Sequence, residues 1–189
     1  MSNKYKFRNQ DKLYFVTYTV INWIDLFIRN IYKDILLDSW KFCMTEKGLD
    51  IYSWVIMTSH AHMIIGTHGD KMEKIIQCMK QHTSKKLKEA ILNNMGESRK
   101  EWMIDLMIAA GKTNSNNKEF QLWQQDNHPK ELFNNEMAHQ KLNYIHNNPV
   151  VAGFVDRPEN YLYSSARDYN INKKGLIDIS FIDPLIVTY

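Results

Sequence analysis

Apolar residues occur along the chain in runs that have two different periods. The run at residues 13–21, LYFVTYTVI, is rich in β-branched and aromatic residues, which predicts a strand buried in a sheet. Residues 49–57 and residues 62–67 predict two more strands that pair as a hairpin, with TSHA between them or at the start of the second. A fourth strand is predicted for residues 120–125, FQLWQQ.

Other segments have apolar residues at the three- and four-residue spacing of an amphipathic helix. One spans residues 31–47 and is followed by Gly48, which suits the left-handed position after a helix. The longest spans residues 70–93, where the stripe is most regular. A shorter helix is predicted within residues 97–111.

A last helix is predicted toward the carboxyl-terminal part of the chain. Asn134 or Asn135 can cap its first turn. We expect it to end at Asn148, because the residue before a proline, here Pro149, disfavours helical backbone. The order strand, helix, strand, strand, helix, strand, helix predicts an α+β sandwich with a mainly antiparallel sheet and helices on one or both faces.

Length and composition predict one globular domain. The chain has 189 residues, of which 44% are hydrophobic and 12% aromatic, so there is enough apolar surface to form a core. We expect residues 1–189 to form a single domain with a polar insertion around residues 97–119. Within that insertion, KTNSNNKE at residues 112–119 has little to bury and predicts a mobile loop.

The charge balance gives only weak information about partners. The chain has 24 basic and 21 acidic residues, and a net charge of +3 is less than binding to duplex DNA by charge alone requires. The long predicted helix is more basic, with six lysines and three acids between Asp70 and Ala90. A solvated helix face explains those lysines equally well.

The cysteines and the amino-terminal residues bear on the compartment. Cys43 and Cys78 are far apart and lack a CxxC spacing, so neither a disulfide framework nor a thiolate zinc site is expected. The first residues, MSNKYKFRNQDK, are polar, and no apolar run approaches the roughly 18 residues that span a membrane. We therefore expect a cytoplasmic protein that does not bind membranes.

A pair of histidines is the first candidate for chemistry. His60 and His62 are separated only by Ala61, and on a strand both imidazoles would project from the same face. Neutral imidazole is a good ligand for divalent metals, but two histidines need a third ligand from elsewhere in the fold. An accidental HxH pair is the competing interpretation.

The last predicted helix carries a polar stripe around a tyrosine. Gln140 lies one turn before Tyr144, and Asn148 lies one turn after it. An amide oxygen from either residue could complete a metal shell while the tyrosine points at a phosphate, which is the arrangement that tyrosine-mediated phosphoryl transfer needs. Considered alone, Tyr144 is one of ten tyrosines, and the simpler interpretation is an ordinary aromatic between surface and core.

These blocks together resemble a known family. VIMTSHAHMIIG resembles the HUH motif of the single-tyrosine transposases, in which the middle position is hydrophobic and is Ala61 here. LNYIHNNPVVAGFV followed by PENYLYSSA resembles the tyrosine helix of one branch, the REP-associated tyrosine transposases. WQQDNHPKEL between them and YFVTYTVINWIDLF before them also match, so the resemblance covers about residues 14–166.

The resemblance implies a fold, a reaction and a site. The fold would be a ferredoxin-like sandwich that presents His60 and His62 to Mg²⁺ or Mn²⁺, and Tyr144 would attack a DNA phosphate to give a 5′-phosphotyrosine and a free 3′-hydroxyl. Related enzymes place a glutamine four residues after the tyrosine as third metal ligand. This chain has Asn148 there, with Gln140 or His146 as substitutes.

The resemblance also implies DNA as the partner. Its substrates would be single-stranded or hairpin DNA. The protein would be cytoplasmic and nucleoid-associated, and it could form a homodimer whose subunits exchange the tyrosine helix. Our candidates for contacts to the DNA backbone are Lys80, Lys85 and Lys86. His128 and His146 are expected to be structural, and Trp54 and Trp123 to belong to the core.

Three other functions compete with a transposase-like endonuclease. A non-catalytic regulator derived from a transposase would bind the same hairpins without cleaving them. A rolling-circle replication initiator or relaxase uses a similar metal-binding pair and a tyrosine, but no P-loop is present here. A zinc hydrolase is weaker still, because no third histidine or carboxylate stands at a recognisable ligand spacing.

Overall fold

Four strands form one antiparallel sheet in the computed structural model, which describes residues 7–114, 119–125, 129–170 and 173–183. In chain order the strands are β1 Leu13–Thr19, β2 Leu49–Ile56, β3 His60–Thr67 and β4 Lys130–Leu132. Their order across the sheet is β2-β3-β1-β4, and each neighbouring pair is antiparallel. This strand order, with a helical connection between β1 and β2 and another between β3 and β4, is that of a ferredoxin-like fold.

Within the described residues, five helices flank the sheet, together with three short 3₁₀ turns. The helices are α1 Asn30–Lys47, α2 Met72–Asn93, α3 Lys100–Lys112, α4 Asn135–Val151 and α5 Ala166–Asn170. The 3₁₀ turns are Ile21–Trp23, Leu26–Ile28 and Pro158–Asn160. The predicted α+β sandwich is therefore confirmed. None of the helices in the described ranges is long and apolar enough to cross a membrane.

The two faces of the sheet pack against different helices. Alternate residues of a strand point to opposite faces, and in β1 Val16 and Tyr18 belong to the large core shared with α1, α2 and α3. Phe15 belongs instead to a smaller core, which it forms with Ile64 of β3 and with Ala138, Leu142 and Ile145 of α4. Helix α4 thus covers the face opposite to α1 and α2. This is also the face of the sheet to which His60 and His62 belong.

The strand predictions were mostly confirmed, with one error. Residues 120–125 were predicted to form a strand, but they make only a single bridge, from Trp123 to Val20 just beyond the end of β1. The position beside β1 is occupied by Lys130–Leu132, which pairs with residues 13–15. This three-residue strand is set by its tertiary pairing, since its short polar sequence has no strand periodicity to read.

The predicted helix caps were confirmed, and one predicted helix end was wrong. Gly48 has φ 69°, the left-handed position that ends α1. Asn134 caps α4 and accepts a hydrogen bond from the amide of Met137 at 2.8 Å. The error is the end at Asn148, because α4 continues through Pro149 for most of another turn. Proline removes the amide donor that would reach the carbonyl of Ile145, and α4 ends two residues later, at Val151.

The region predicted as a polar insertion is partly built into the core. Met103 and Met107 of α3 are fully buried and pack with the α1 and α2 side of the molecule. Residues 115–118, within the segment predicted to be a mobile loop, lie outside the described residues.

Candidate functional site

His60 and His62 stand next to each other at the start of β3. Strand pairing places His62 between Thr17 of β1 and Val55 of β2, and His60 opposite Thr19. The centroids of the two imidazole rings are 4.8 Å apart. The prediction that both rings project from one face is confirmed, and the flanking buried residues of β3 hold them in place.

A hydroxyl group orients each imidazole through its Nδ1 atom. Thr17 Oγ1 lies 2.9 Å from His62 Nδ1, and Ser59 Oγ lies 3.2 Å from His60 Nδ1. If Nδ1 carries the proton and donates it to the hydroxyl, each ring keeps a lone pair on Nε2. That is the tautomer that a metal-binding histidine uses when its other nitrogen is hydrogen-bonded.

Burial keeps both imidazoles neutral. It lowers the pKa of His62 to about 3, helped by the nearby His60 and by the positive charge of Lys141. Burial also lowers the pKa of His60, partly opposed by the carboxylate of Asp25. Both rings are therefore unprotonated at neutral pH, the form that can bind a metal.

Helix α4 brings Tyr144 to the same site. Its hydroxyl lies 3.4 Å from His62 Nε2, and the two ring centroids are 5.2 Å apart. Phe15 stacks on the His62 ring at 5.3 Å and meets the Tyr144 ring edge-on at 5.9 Å. The tyrosine is 47% exposed, so this phenol can be reached from solvent while its hydroxyl points toward the histidines.

Tyr144 contacts Nε2 of His62, which is the nitrogen that a metal would use. In the tautomer described above, the Tyr144 hydroxyl donates to the lone pair on His62 Nε2. A metal bound to Nε2 would take the same lone pair, so the hydrogen bond and the metal bond are alternatives. A metal on Nε2 would therefore require the phenol to move away from this nitrogen.

One cation at the site was not identified from the sequence. Lys141, one turn before Tyr144 on α4, places its Nζ 5.3 Å from the Tyr144 ring centroid and 5.0 Å from that of Phe15. Burial lowers the pKa of Lys141, with a further contribution from the charge of Lys130. Its three-residue spacing from Tyr144 was the available signal, because residues so spaced share one helix face.

The amide residues predicted as further metal ligands flank Tyr144 on α4. Gln140 is exposed and Asn148 is half-buried, and neither side chain is hydrogen-bonded to His60 or His62 in the described structure. Within the described residues, no group of three or more His, Cys, Asp or Glu side chains could hold a metal ion. Asn148 as a third metal ligand therefore stays a prediction.

Among the described residues, the other histidine and the two tryptophans named in the sequence analysis do not extend the site. His146 is buried, 2.9 Å from Ser165 Oγ and 3.3 Å from Ser53 Oγ, and burial lowers its pKa to about 4. Its expected structural role agrees with these contacts, which occupy its Nε2. Trp54 and Trp123 are buried in the main core, as predicted. His128 lies outside the described residues.

The three lysines proposed for DNA contacts lie on α2, on the opposite side of the sheet from α4. Lys80 Nζ donates to the carbonyl oxygen of Gln124 at 2.7 Å, so it helps to hold the segment beside the end of β1. Lys86 forms an ion pair with Glu89 at 3.2 Å, and Lys85 is exposed. The structure does not bring these lysines together with Tyr144, and their role in binding DNA stays a prediction.

Comparisons with known proteins show that a solved structure has a similar fold. No family model matches the chain, and no curated protein matches it. A solved structure of a REP-associated tyrosine transposase bound to a REP hairpin is similar over 99% of this chain and 100% of that one, with a TM-score of 0.63 and 17% identity. A structure described as a candidate transposase from Deinococcus radiodurans matches 77% of this chain and 97% of that one at 15% identity. Its TM-score of 0.41 is too low to define a shared fold. The resemblance indicated by the motifs around His60 and Tyr144 is confirmed at the level of architecture, and the chain has the fold of the REP-associated tyrosine transposase.

Proposed function

We propose that this chain is a metal-dependent endonuclease and strand transferase for single-stranded DNA, of the REP-associated tyrosine transposase kind. The observation that carries the proposal is the position of the Tyr144 hydroxyl, 3.4 Å from Nε2 of a buried, neutral histidine that stands beside a second one. Two imidazoles and one phenol from distant parts of the sequence meet at one place in a single chain. That is the geometry that tyrosine nucleophiles of this kind require.

Tyr144 is the nucleophile in this proposal. Its phenolic oxygen forms a bond to the phosphorus of a DNA phosphate, while the bond from phosphorus to the 3′ oxygen breaks. The phenol loses its proton and the departing 3′ oxygen gains one, so the products are a 5′-phosphotyrosine and a free 3′-hydroxyl. Attack by a 3′-hydroxyl on the phosphotyrosine is the same step in reverse, and it joins the strands again.

His60 and His62 fit a divalent metal, for which we propose Mg²⁺ or Mn²⁺. Both rings are neutral, adjacent and oriented by hydroxyl groups, which leaves Nε2 of each as the ligand atom. Asn148 is the proposed third ligand. When bound, the metal would supply positive charge to the oxygens of the scissile phosphate.

Lys141 supplies the second positive charge beside the nucleophile. Its ammonium lies 5.3 Å from the centroid of the Tyr144 ring, and Tyr144 is 47% exposed, so a DNA phosphate that reached the phenol would lie near this charge. Charge on the phosphate oxygens grows during displacement, and a fixed cation in a partly buried site stabilises it more than one in water would. Lys141 is therefore assigned to binding the phosphate next to the scissile bond.

The DNA partner is proposed to be a hairpin with unpaired flanking nucleotides. Support comes from the similar transposase, which was solved with a REP hairpin bound. Lys80, Lys85 and Lys86 remain candidates for contacts to the DNA backbone away from the cleavage site. Because Tyr144 and both histidines meet within one chain, cleavage does not require exchange of α4 in a homodimer. As a DNA-cleaving protein, the chain would act at the nucleoid.

A cleavage assay tests the proposal. A labelled hairpin oligonucleotide with single-stranded flanks is incubated with the protein and Mn²⁺, and the products are separated on denaturing gels. We expect nicked DNA and a covalent protein–DNA adduct with the wild type and with Tyr52→Phe, a control tyrosine on β2. Neither product is expected with Tyr144→Phe. Binding of the hairpin by wild type without either product would favour a regulator that has lost catalysis.

A further inference from the structure

The turn after β1 holds two consecutive residues in left-handed backbone conformation. Asn22 has φ 53° and Trp23 has φ 56°, and neither is a glycine. Asparagine tolerates this region, but a bulky residue such as tryptophan rarely adopts it, because its Cβ then crowds the backbone. Such strain persists only where the surrounding structure enforces it.

Backbone hydrogen bonds to other segments enforce this turn. The amide of Val20 donates to the Ser59 carbonyl at 2.9 Å, and the amide of Ile21 donates to the Leu122 carbonyl at 2.9 Å. Further along, the amide of Phe27 donates to the Thr58 carbonyl at 2.7 Å. Two of these acceptors immediately precede His60, so the turn and the start of β3 form one rigid unit.

The strained turn projects the Trp23 side chain into solvent beside the site. Trp23 is 59% exposed, whereas Trp40, Trp54 and Trp123 are all buried. Its ring meets that of His60 edge-on, with centroids 5.5 Å apart. A single exposed indole is ordinary by itself, but strained backbone occurs mainly at functional sites. Strain and exposure at the same residue, beside His60, therefore point to a role in binding.

Trp23 is also at the end of a continuous series of rings. From Trp23 the series passes to His60, then to His62 at 4.8 Å and to Tyr144 at 5.2 Å. A DNA strand whose phosphate lies at Tyr144 would therefore have a neighbouring nucleotide near the indole. Unpaired bases stack on exposed aromatic side chains of single-strand binding proteins without needing a particular base.

We propose that Trp23 is a stacking platform for one unpaired base next to the scissile phosphate. This inference rests on the proposed function and adds a residue that fixes the position of the flanking strand. The strained turn prevents the indole from folding back onto the core, so the platform exists before DNA binds. Preorganisation of this kind reduces the entropy lost on binding.

The test compares two oligonucleotides, a hairpin with unpaired flanks and the same hairpin without them. Binding is measured with Mn²⁺ in the Tyr144→Phe background, which prevents turnover. We expect Trp23→Ala to weaken binding of the flanked hairpin by about 5- to 150-fold and to leave the blunt hairpin unchanged. Trp23→Phe should keep most of the affinity, because phenylalanine can also stack. Trp102→Ala, at an exposed tryptophan on α3, is the matched control and should have no effect.

A fluorescent base locates the contact. 2-Aminopurine is placed in turn at each unpaired position of the flank, and stacking is read as quenching when the protein binds. The protein that retains Trp23 should quench the base at one position, and the Trp23→Ala variant should leave the same base fluorescent.

Three outcomes would count against the inference, and they are distinguishable. Equal binding of the flanked hairpin by the Trp23→Ala and Trp102→Ala proteins would overturn it. Equal losses for the flanked and blunt hairpins with Trp23→Ala would also overturn it, because they would indicate a general structural role. If the parent protein binds neither hairpin, the proposed function itself fails.

Discussion

Replacing Thr17 by valine isolates the hydroxyl that orients His62. The substitution keeps the branched shape of the side chain on β1 and removes only the group that lies 2.9 Å from His62 Nδ1. Thr19→Val is the matched control. Thr19 is on the same strand and the same face, opposite His60, and its side chain makes no hydrogen bond to either imidazole in the described structure.

The expected losses of stability and metal affinity depend on how strongly the Thr17 hydroxyl holds the His62 ring. His62 is only 6% exposed, so water cannot freely replace the lost hydroxyl. Leaving Nδ1 without a partner costs about 1–3 kcal/mol of folding free energy. Loss of such an orienting partner typically lowers metal affinity by about 10- to 100-fold, or roughly 1.4–2.7 kcal/mol.

Calorimetric titration with Mn²⁺ measures this effect directly. The wild type and Thr19→Val should bind with similar affinity, and Thr17→Val should bind about 10- to 100-fold more weakly. Chemical denaturation of the three proteins without metal checks that each is folded and gives the loss of stability separately. A folded Thr17→Val protein that binds Mn²⁺ as tightly as wild type would refute the assignment of His62 Nε2 as a metal ligand oriented through Nδ1.

Three further results are expected. Lys141→Gln should weaken DNA binding and reduce the slope of log affinity against log salt by about one unit, measured by titration at several salt concentrations. The pKa of Glu97 is lowered to about 2, chiefly by its hydrogen bonds to Arg99 and also by Arg29. The ionised carboxylate therefore stabilises the fold at pH values above 4.5, its ordinary pKa, and this contribution is lost as the pH falls toward 2. Glu97→Gln should therefore lower the free energy of unfolding by about 2–3 kcal/mol at pH 7 and flatten its dependence on pH in this acid range. The His146 imidazole is neutral in the folded protein, so the free energy of unfolding should decrease as the pH falls from 6.5 toward 4. Denaturation of His146→Gln should show a smaller decrease. Some decrease should remain, because the site histidines also contribute to it.

Local sequence patterns were sufficient to predict most of the elements and the positions of His60, His62 and Tyr144 on them, whereas the choice of these three residues as a site came from the resemblance to the transposases. Alternation along β3 placed His60 and His62 on one face, and helical spacing with an asparagine cap placed Tyr144 on α4. These features depend on neighbours within a few residues. They are therefore visible in one sequence without knowledge of the tertiary fold.

Features that depend on distant pairing could not be predicted in the same way. Thr17 reaches His62 only because β1 and β3 pair in a particular register, which the sequence of β1 does not reveal. The error at residues 120–125 has the same origin, since an apolar run of this length does not specify whether it joins a sheet. Trp23 lies within an apolar segment of the sequence, as a core residue would. Only its backbone conformation and its exposure in the structure distinguish it from a core residue.

Peptide mass spectrometry can show whether the Tyr144 oxygen forms a covalent bond to DNA. The wild-type protein is incubated with Mn²⁺ and a flanked hairpin, the adduct is digested with nuclease and protease, and the modified peptide is sequenced in the spectrometer. We expect a nucleotide attached through a 5′-phosphate to Tyr144. Attachment at any other residue, or cleaved DNA with no attached peptide, would show that Tyr144 is not the nucleophile.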